Sequence, residues 1–249
     1  LEDYGEIMAR GLPDDSNVVK ESAVYALSDM AELAARLGSP VNYVRFGDVY
    51  MMDEFTHGLG AWGSAVMGGG GFARLTGSHW RSKGVCAHLQ GGLGATPYTY
   101  MWRWMPIPGS DKMGYCLTFA SEDNCYDMQI GLLVTIGEVQ YPFKIMIELS
   151  TNRFYYWVEP GPWEEFDRTP IGGRQWMFHL CKLVVNLKKR EYVRFYFNER
   201  SYPLSGILCG NKPNLGAADR CECEVTVTGT NLALGDLYVD DAVVTQNEV

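Results

Sequence analysis

This chain is short of the patterns that mark most catalysts. It has only four histidines, His57, His79, His88 and His179, and none forms an H-E-x-x-H pair. A metal hydrolase of that type is excluded. No G-x-S-x-G occurs, so there is no nucleophile elbow for a catalytic serine. No apolar run approaches the roughly 18 residues that a membrane-crossing helix needs. Basic residues are scarce: 21 Lys and Arg stand against 30 Asp and Glu, a formal charge of −9. Phosphate binding needs clustered Lys and Arg, so nucleic acid is not an expected partner. The single basic run, Lys188-Lys189-Arg190, reads as a solvated hairpin turn. No cysteine pair has C-x-x-C spacing, so the cysteines are read as thiols rather than as a motif.

What is present is strand-and-turn usage: 47% hydrophobic, 13% aromatic, 28 glycines and 11 prolines in 249 residues. A chain of this size buries roughly 70–75% of its unfolded surface and needs no staples. Seven cysteines is an odd number, so at least one is unpaired or pairs between chains. Cys221 and Cys223 share one face of an expected strand and are badly placed to bond each other. The cysteines are either buried or half-buried thiols in a protein that matures under reducing conditions or partners in inter-subunit disulfides formed after assembly. The sequence opens at Leu1, which suggests a segment removed or lying outside it and leaves the compartment open.

Helical periodicity is confined to one stretch. Asp14-Asp15-Ser16-Asn17 supplies N-cap candidates and favourable charge. Val24, Leu27, Met30, Ala31 and Ala34 then form an apolar stripe. Gly38 and Pro40 end it. The spacing predicts a helix over about 16–37 in an arm of residues 1–40. That stripe must be covered, by the arm's own sandwich or by a neighbouring subunit.

From Val41 to the end, short alternating runs are separated by glycine clusters. They predict about twelve to fourteen strands with turn signals at roughly 8–12-residue intervals. Met113–Ala120 and Met128–Ile136 read as a hairpin. Phe143–Leu149 reads as paired with Arg153–Val158, and Gln175–Val185 with Tyr192–Phe197. The expectation is all-β: a two-sheet antiparallel jelly-roll sandwich over 41–249. Its first strand (Asp48-Val49-Tyr50-Met51-Met52-Asp53) and its last (Asp236 to Thr245) should be neighbours. In the last, Leu237, Val239 and Val243 share the odd positions.

Three segments carry a resemblance: Asp53-Glu54-Phe55-Thr56-His57-Gly58-Leu59-Gly60-Ala61-Trp62, Ser82-Lys83-Gly84-Val85-Cys86-Ala87-His88-Leu89, and Tyr238-Val239-Asp240-Asp241-Ala242-Val243. Their order resembles the opening, middle and closing strands of concanavalin A-like and carbohydrate-binding-module jelly rolls. The run from Leu33 through Trp62 also looks like a type met among tailed-phage structural proteins, in which a short helical arm precedes such a jelly roll. The first resemblance implies a structural calcium held by Asp53 and Asp241. Calcium takes ~6–8 hard oxygens, and Thr56 stands where the family places a Glu. The alternative is that these acids merely cap backbone N–H groups.

A sugar platform is also implied. Tyr98, Tyr100, Trp102 and Trp104 fall on one face of one strand and could stack on pyranose rings. The bland reading puts them in the core, and Arg103 on the opposite face favours it. Tyr155, Trp157, Trp163 and Trp176 could line a second patch. Glycoside hydrolysis needs two carboxyls roughly 5–10 Å apart. The glucanase-like string E-x-D-x-x-E fails at Glu165-Phe166-Asp167-Arg168-Thr169-Pro170, which its flanking prolines mark as a loop.

The expected function is a non-catalytic structural protein: a decoration or cement protein of a tailed-phage virion, assembled with other subunits and built on a lectin-like jelly roll. The alternative is a carbohydrate-binding module of a secreted or surface protein. Partners would be protein subunits or glycans, with no cofactor other than calcium.

Overall fold

A computed structural model describes residues 47–81, 84–171, 177–230 and 232–249. The expected arm over 1–40, its helix, and Trp176 lie outside the described residues. Sixteen strands are present among those described, and they form two antiparallel eight-stranded sheets packed face to face.

The first sheet contains β1 (Asp48–Asp53), β3 (Phe72–Thr76), β4 (Cys86–Gly91), β6 (Lys112–Ser121), β11 (His179–Asn186), β12 (Glu191–Phe197), β13 (Arg200–Pro203) and β16 (Gly235–Gln246). Their order is β13-β12-β11-β6-β16-β4-β3, with β1 also against β16. The second contains β2 (Gly63–Gly69), β5 (Leu93–Met105), β7 (Asp127–Ile136), β8 (Val139–Glu148), β9 (Arg153–Trp157), β10 (Trp163–Arg168), β14 (Lys212–Pro213) and β15 (Arg220–Thr228). Their order is β10-β9-β8-β7-β15-β5-β2, with β14 against β8. The all-β sandwich expected from the turn spacing is what forms.

Period-two alternation builds the core. On β6 Met113, Tyr115, Leu117 and Phe119 face inward; on β7 Met128, Ile130, Leu132 and Val134 do so; on β15 Cys221, Cys223, Val225 and Val227 do so. All seven cysteines are buried, and no disulfide joins any two of them. Burial pushes the Cys86, Cys116, Cys209 and Cys221 thiols up to about 12, so they behave as small apolar side chains.

The first and last strands are neighbours as expected, with Asp53 opposite Ala242. The inward set of β16 differs from the expected one. A bulge between Val239 and Asp241 inserts Asp240 into the register with β6, which flips the phase of everything after it. Leu237 and Val239 face inward before the bulge, and Ala242 and Val244 after it. Val243 therefore points to the other side, with Cys116 and Leu180.

Two further expectations give way. β6 and β7 are not a hairpin: they lie in different sheets, and Ser121–Cys125 carries the chain from one layer to the other. The turn residues there are compatible with either path, and local sequence cannot choose between them. The Glu165 string is not a loop either, because Trp163–Arg168 pairs with β9. Proline flanks are tolerated on this edge strand, where one row of N–H groups has no partner to lose.

One side chain ties the layers together. Tyr192, fully buried on β12 of the first sheet, sends its hydroxyl to β8 and β9 of the second. It accepts from the Lys144 amide at 2.8 Å and donates to the Trp157 carbonyl at 2.7 Å. Tyr192→Phe keeps the ring and leaves both backbone groups unpaired, which costs about 2 kcal/mol. Urea unfolding of that variant should show a lower midpoint at unchanged m-value; an unchanged midpoint would show that the bridge contributes nothing.

Candidate functional site

The outer face of the second sheet collects the aromatic candidates. Met101 is fully buried and Met105 is 8% exposed, while Trp104 is 57% exposed. The ladder Tyr98, Tyr100, Trp102, Trp104 therefore points away from the core, contrary to the bland reading. Arg103 is on the inner side after all. It is held at the sandwich rim by Asp53, with Nη1 to Oδ2 at 2.6 Å. An ion pair at the rim reverses the inference drawn from arginine alone.

Rows across the sheet define the site. Gly63 pairs with Trp102, Trp102 with Glu224, Glu224 with Gly131, and Gly131 with Lys144. Trp157, one step beyond the Ile145–Tyr156 pair, prolongs this row to Trp163. A parallel row runs Ala65, Tyr100, Thr226, Gln129, Met146, Tyr155 and Glu165. The two aromatic groups are thus brought onto one face, four strand spacings or about 19 Å apart.

Small residues shape the surface. A Cβ on Gly63 would sit 2.5 Å from the Trp102 indole, so that ring lies over the edge strand. A Cβ on Gly131 would meet Glu224 Cγ at 2.9 Å, so the missing side chain is what lets the Glu224 chain cross to Lys144. Tyr100 and Trp102 stack at 4.8 Å, and Trp157 and Trp163 meet edge-on at 5.1 Å. The Arg220 guanidinium covers Trp104 at 4.5 Å, leaving its other face for a ligand.

A polar floor lies beneath the aromatic residues. Glu224, 4% exposed, pairs with Lys144 Nζ at 2.5 Å. Glu222 accepts from Trp104 Nε1 at 2.9 Å. Burial raises its carboxyl, and the nearby Glu224 adds to the rise. Glu148 accepts from Tyr126, Thr151 and Tyr155 hydroxyls. Burial would raise its carboxyl, but these donors outweigh it and hold it low. Asp127, opposite Glu148 on β8, is pushed up to about 6 by burial, against donors from Thr228 and Gln129. One signal for this floor was visible: Glu222-x-Glu224 alternates with Cys221 and Cys223, which places both acids opposite the buried thiols.

The implied calcium does not fit Asp53 and Asp241. Asp53 shares the inward face of Ala242, whereas Asp241 points outward to Thr118, whose hydroxyl it accepts at 2.7 Å. The Asp53 oxygens already accept from Arg103, Trp62 Nε1 and the Phe55 amide. Among the described residues no group of three or more His, Cys, Asp or Glu is placed to hold a metal. A separate cavity of about 470 Å³ lies at one end of the first sheet, between Thr118, His179, Asn198 and Arg200; none of the aromatic candidates lines it.

No family model matches the chain, and no curated protein matches its sequence. Solved structures do match its shape. The cellulose-induced protein Cip1 superposes with a TM-score of 0.53 at 12% identity, over 80% of this chain and 98% of that one. The fold is the concanavalin A-like jelly roll. The CBM2 module of the evolved Dit protein of Lactobacillus casei BL23 phage J-1 gives 0.50 at 8% identity, over 82% and 97%. A carbohydrate esterase from the Shiga toxin-encoding bacteriophage phi24B gives 0.51 at 11%, over 81% and 100%. A sialidase matches at 0.52 and 12%, over 81% of this chain, which spans only 19% of that protein. Both enzymes and binding modules thus share this fold.

Two buried acids give this jelly roll a pH dependence of definite sign. Burial raises Asp241 to about 8, opposed by the Thr118 hydroxyl and reinforced by Asp240; Asp127 is raised to about 6. Between an unfolded value near 4 and these folded values the native state holds the extra protons, so stability falls as pH rises from about 4 to 8. Urea midpoints should decline over that range, and Asp241→Asn should flatten the decline between pH 6 and 8. An undiminished slope in that variant would mean that Asp241 is already ionised.

Proposed function

We propose that the chain is a non-catalytic carbohydrate-binding jelly roll that takes a glycan on the outer face of its second sheet. The observation that supports this most is the outward ladder of Tyr98, Tyr100, Trp102 and Trp104, on one face with Tyr155, Trp157 and Trp163. Aromatic faces with polar edges suit pyranose rings, which present apolar C–H faces and peripheral hydroxyls. The row from Trp102 to Trp163 would take an extended chain lying across the strands. Gln129, Thr226 and Lys144 along these rows, and Glu222 beside Trp104, offer both donors and acceptors.

Binding is preferred to hydrolysis because the central carboxylates are engaged. Glu224 is neutralised by Lys144, and Glu222 is held by the Trp104 indole. The two acids are neighbours on one face of β15, and each is committed to its own partner.

The setting we favour is a larger particle, with the module decorating a tailed-phage virion alongside other subunits. Support comes from the fold likeness to a phage Dit module and a phage esterase. A secreted or cell-surface protein is the alternative location.

Trp102→Ala and Trp157→Ala should each weaken binding to soluble polysaccharide roughly tenfold, the loss of about 1.4 kcal/mol of stacking. Affinity electrophoresis against a panel of neutral polysaccharides reads this directly, with thermal melts confirming that both variants fold. A wild-type protein whose mobility no polysaccharide retards would sink the reading.

A further inference from the structure

The open sides of the two sheets are treated unequally. On one side, β10 carries Glu164, Glu165, Asp167 and Arg168 between Pro162 and Pro170, and β13 carries Arg200 and ends on Pro203. Charges and prolines of this kind stop an edge strand from recruiting another. On the other side, β3 has only Arg74, and β2 has no charge and no proline. The bare stretch is long: residues 58–73 contain no Asp, Glu, Lys or Arg.

β2 is also regular where it counts. Gly63 to Met67 pair residue by residue with Trp102 to Tyr98, and the one irregularity lies beyond Met67. Apolar side chains stand exposed along it, with Val66 at 38% and Met67 at 49%, and Leu93 next to its end at 41%. An accessible, uncharged and regularly paired edge strand is a template for another strand.

We propose that β2 is the contact strand of a homodimer, pairing antiparallel with β2 of a second copy of this chain. The occupant follows from charge. Two-fold pairing sets a strand against itself, so any charge on it meets its own like; β2 has none to repel. An acidic or basic partner strand would find no counter-charge there. The joined second sheets would form one surface, placing the two aromatic ladders about 14 Å apart, three strand spacings across the dyad. A glycan chain could then engage both, and avidity would exceed single-site affinity. Dimerisation itself does not depend on glycan binding.

Each copy carries −9, so long-range repulsion opposes association and salt screens it. Sedimentation equilibrium of the whole chain should show a dimer that tightens between low and moderate salt. Ser64, exposed within the regular stretch and on the face away from the ladder, is the position to test. Ser64→Lys and Ser64→Glu should each weaken the dimer at least tenfold, and an equimolar mixture of the two should restore it. Amides of β2 should exchange more slowly as wild-type concentration rises. A wild-type monomer at all concentrations overturns the proposal, and so does a dimer indifferent to either substitution. Two folded monomeric variants, judged by near-ultraviolet circular dichroism, that stay apart when mixed also overturn it.

Discussion

The bulge at Asp240 is the constraint on which the first sheet depends. Without it, the twelve residues of β16 would keep one phase, and either Leu237 and Val239 or Ala242 and Val244 would face away from the core. With it, one edge of β16 serves two strands, β4 along Gly235–Val239 and β1 along Ala242–Gln246. The inserted residue is wholly buried and is an aspartate that accepts the Arg81 amide at 3.2 Å. A buried carboxylate next to a second one is costly unless donors or protons compensate. Thr118 and a raised affinity for protons supply that compensation at Asp241. Two buried acids thus lie within β16 where it meets β1, amid otherwise apolar packing.

Local pattern made much of this legible. Alternation and turn residues give the strands, and the acidic opening and closing segments give the closure. The pairing of Phe143–Leu149 with Arg153–Val158, and of β11 with β12, follows from short loops alone. What local pattern does not give is layer membership. The Ser121–Cys125 segment can turn a hairpin or cross between sheets, and the choice is made by β15 and β16, which arrive about a hundred residues later to pair with β7 and β6. The phase of β16 past Asp240 was hidden for a related reason, since a bulge is a property of two strands rather than one.

The candidate site was half visible. The sequence names its aromatic residues and leaves their side open, and Arg103 points the wrong way, because it resembles a solvent-facing residue and is a rim residue paired with Asp53. Lys144, Gly131 and Glu224 belong to three strands whose adjacency only the folded sheet supplies. The same holds for Tyr192, whose hydroxyl reaches through the core to fix the backbone at Lys144 and Trp157. A face whose floor is anchored from the opposite layer loses little freedom on meeting a ligand, and that saving goes to affinity.

The ladder and the bare edge have one cause. Trp102 and Tyr100 stand opposite Gly63 and Ala65 on β2, and the indole can lie over position 63 only because no Cβ is there. A glycine is thus demanded at position 63 beside the Trp102 ring, and that position can carry no charge to guard the edge. A long side chain at position 63 would protect the edge and crowd the ladder. A sheet that keeps its aromatic face open in this way leaves an unguarded strand beside it, and a second copy of that strand satisfies the exposed backbone without lifting the rings.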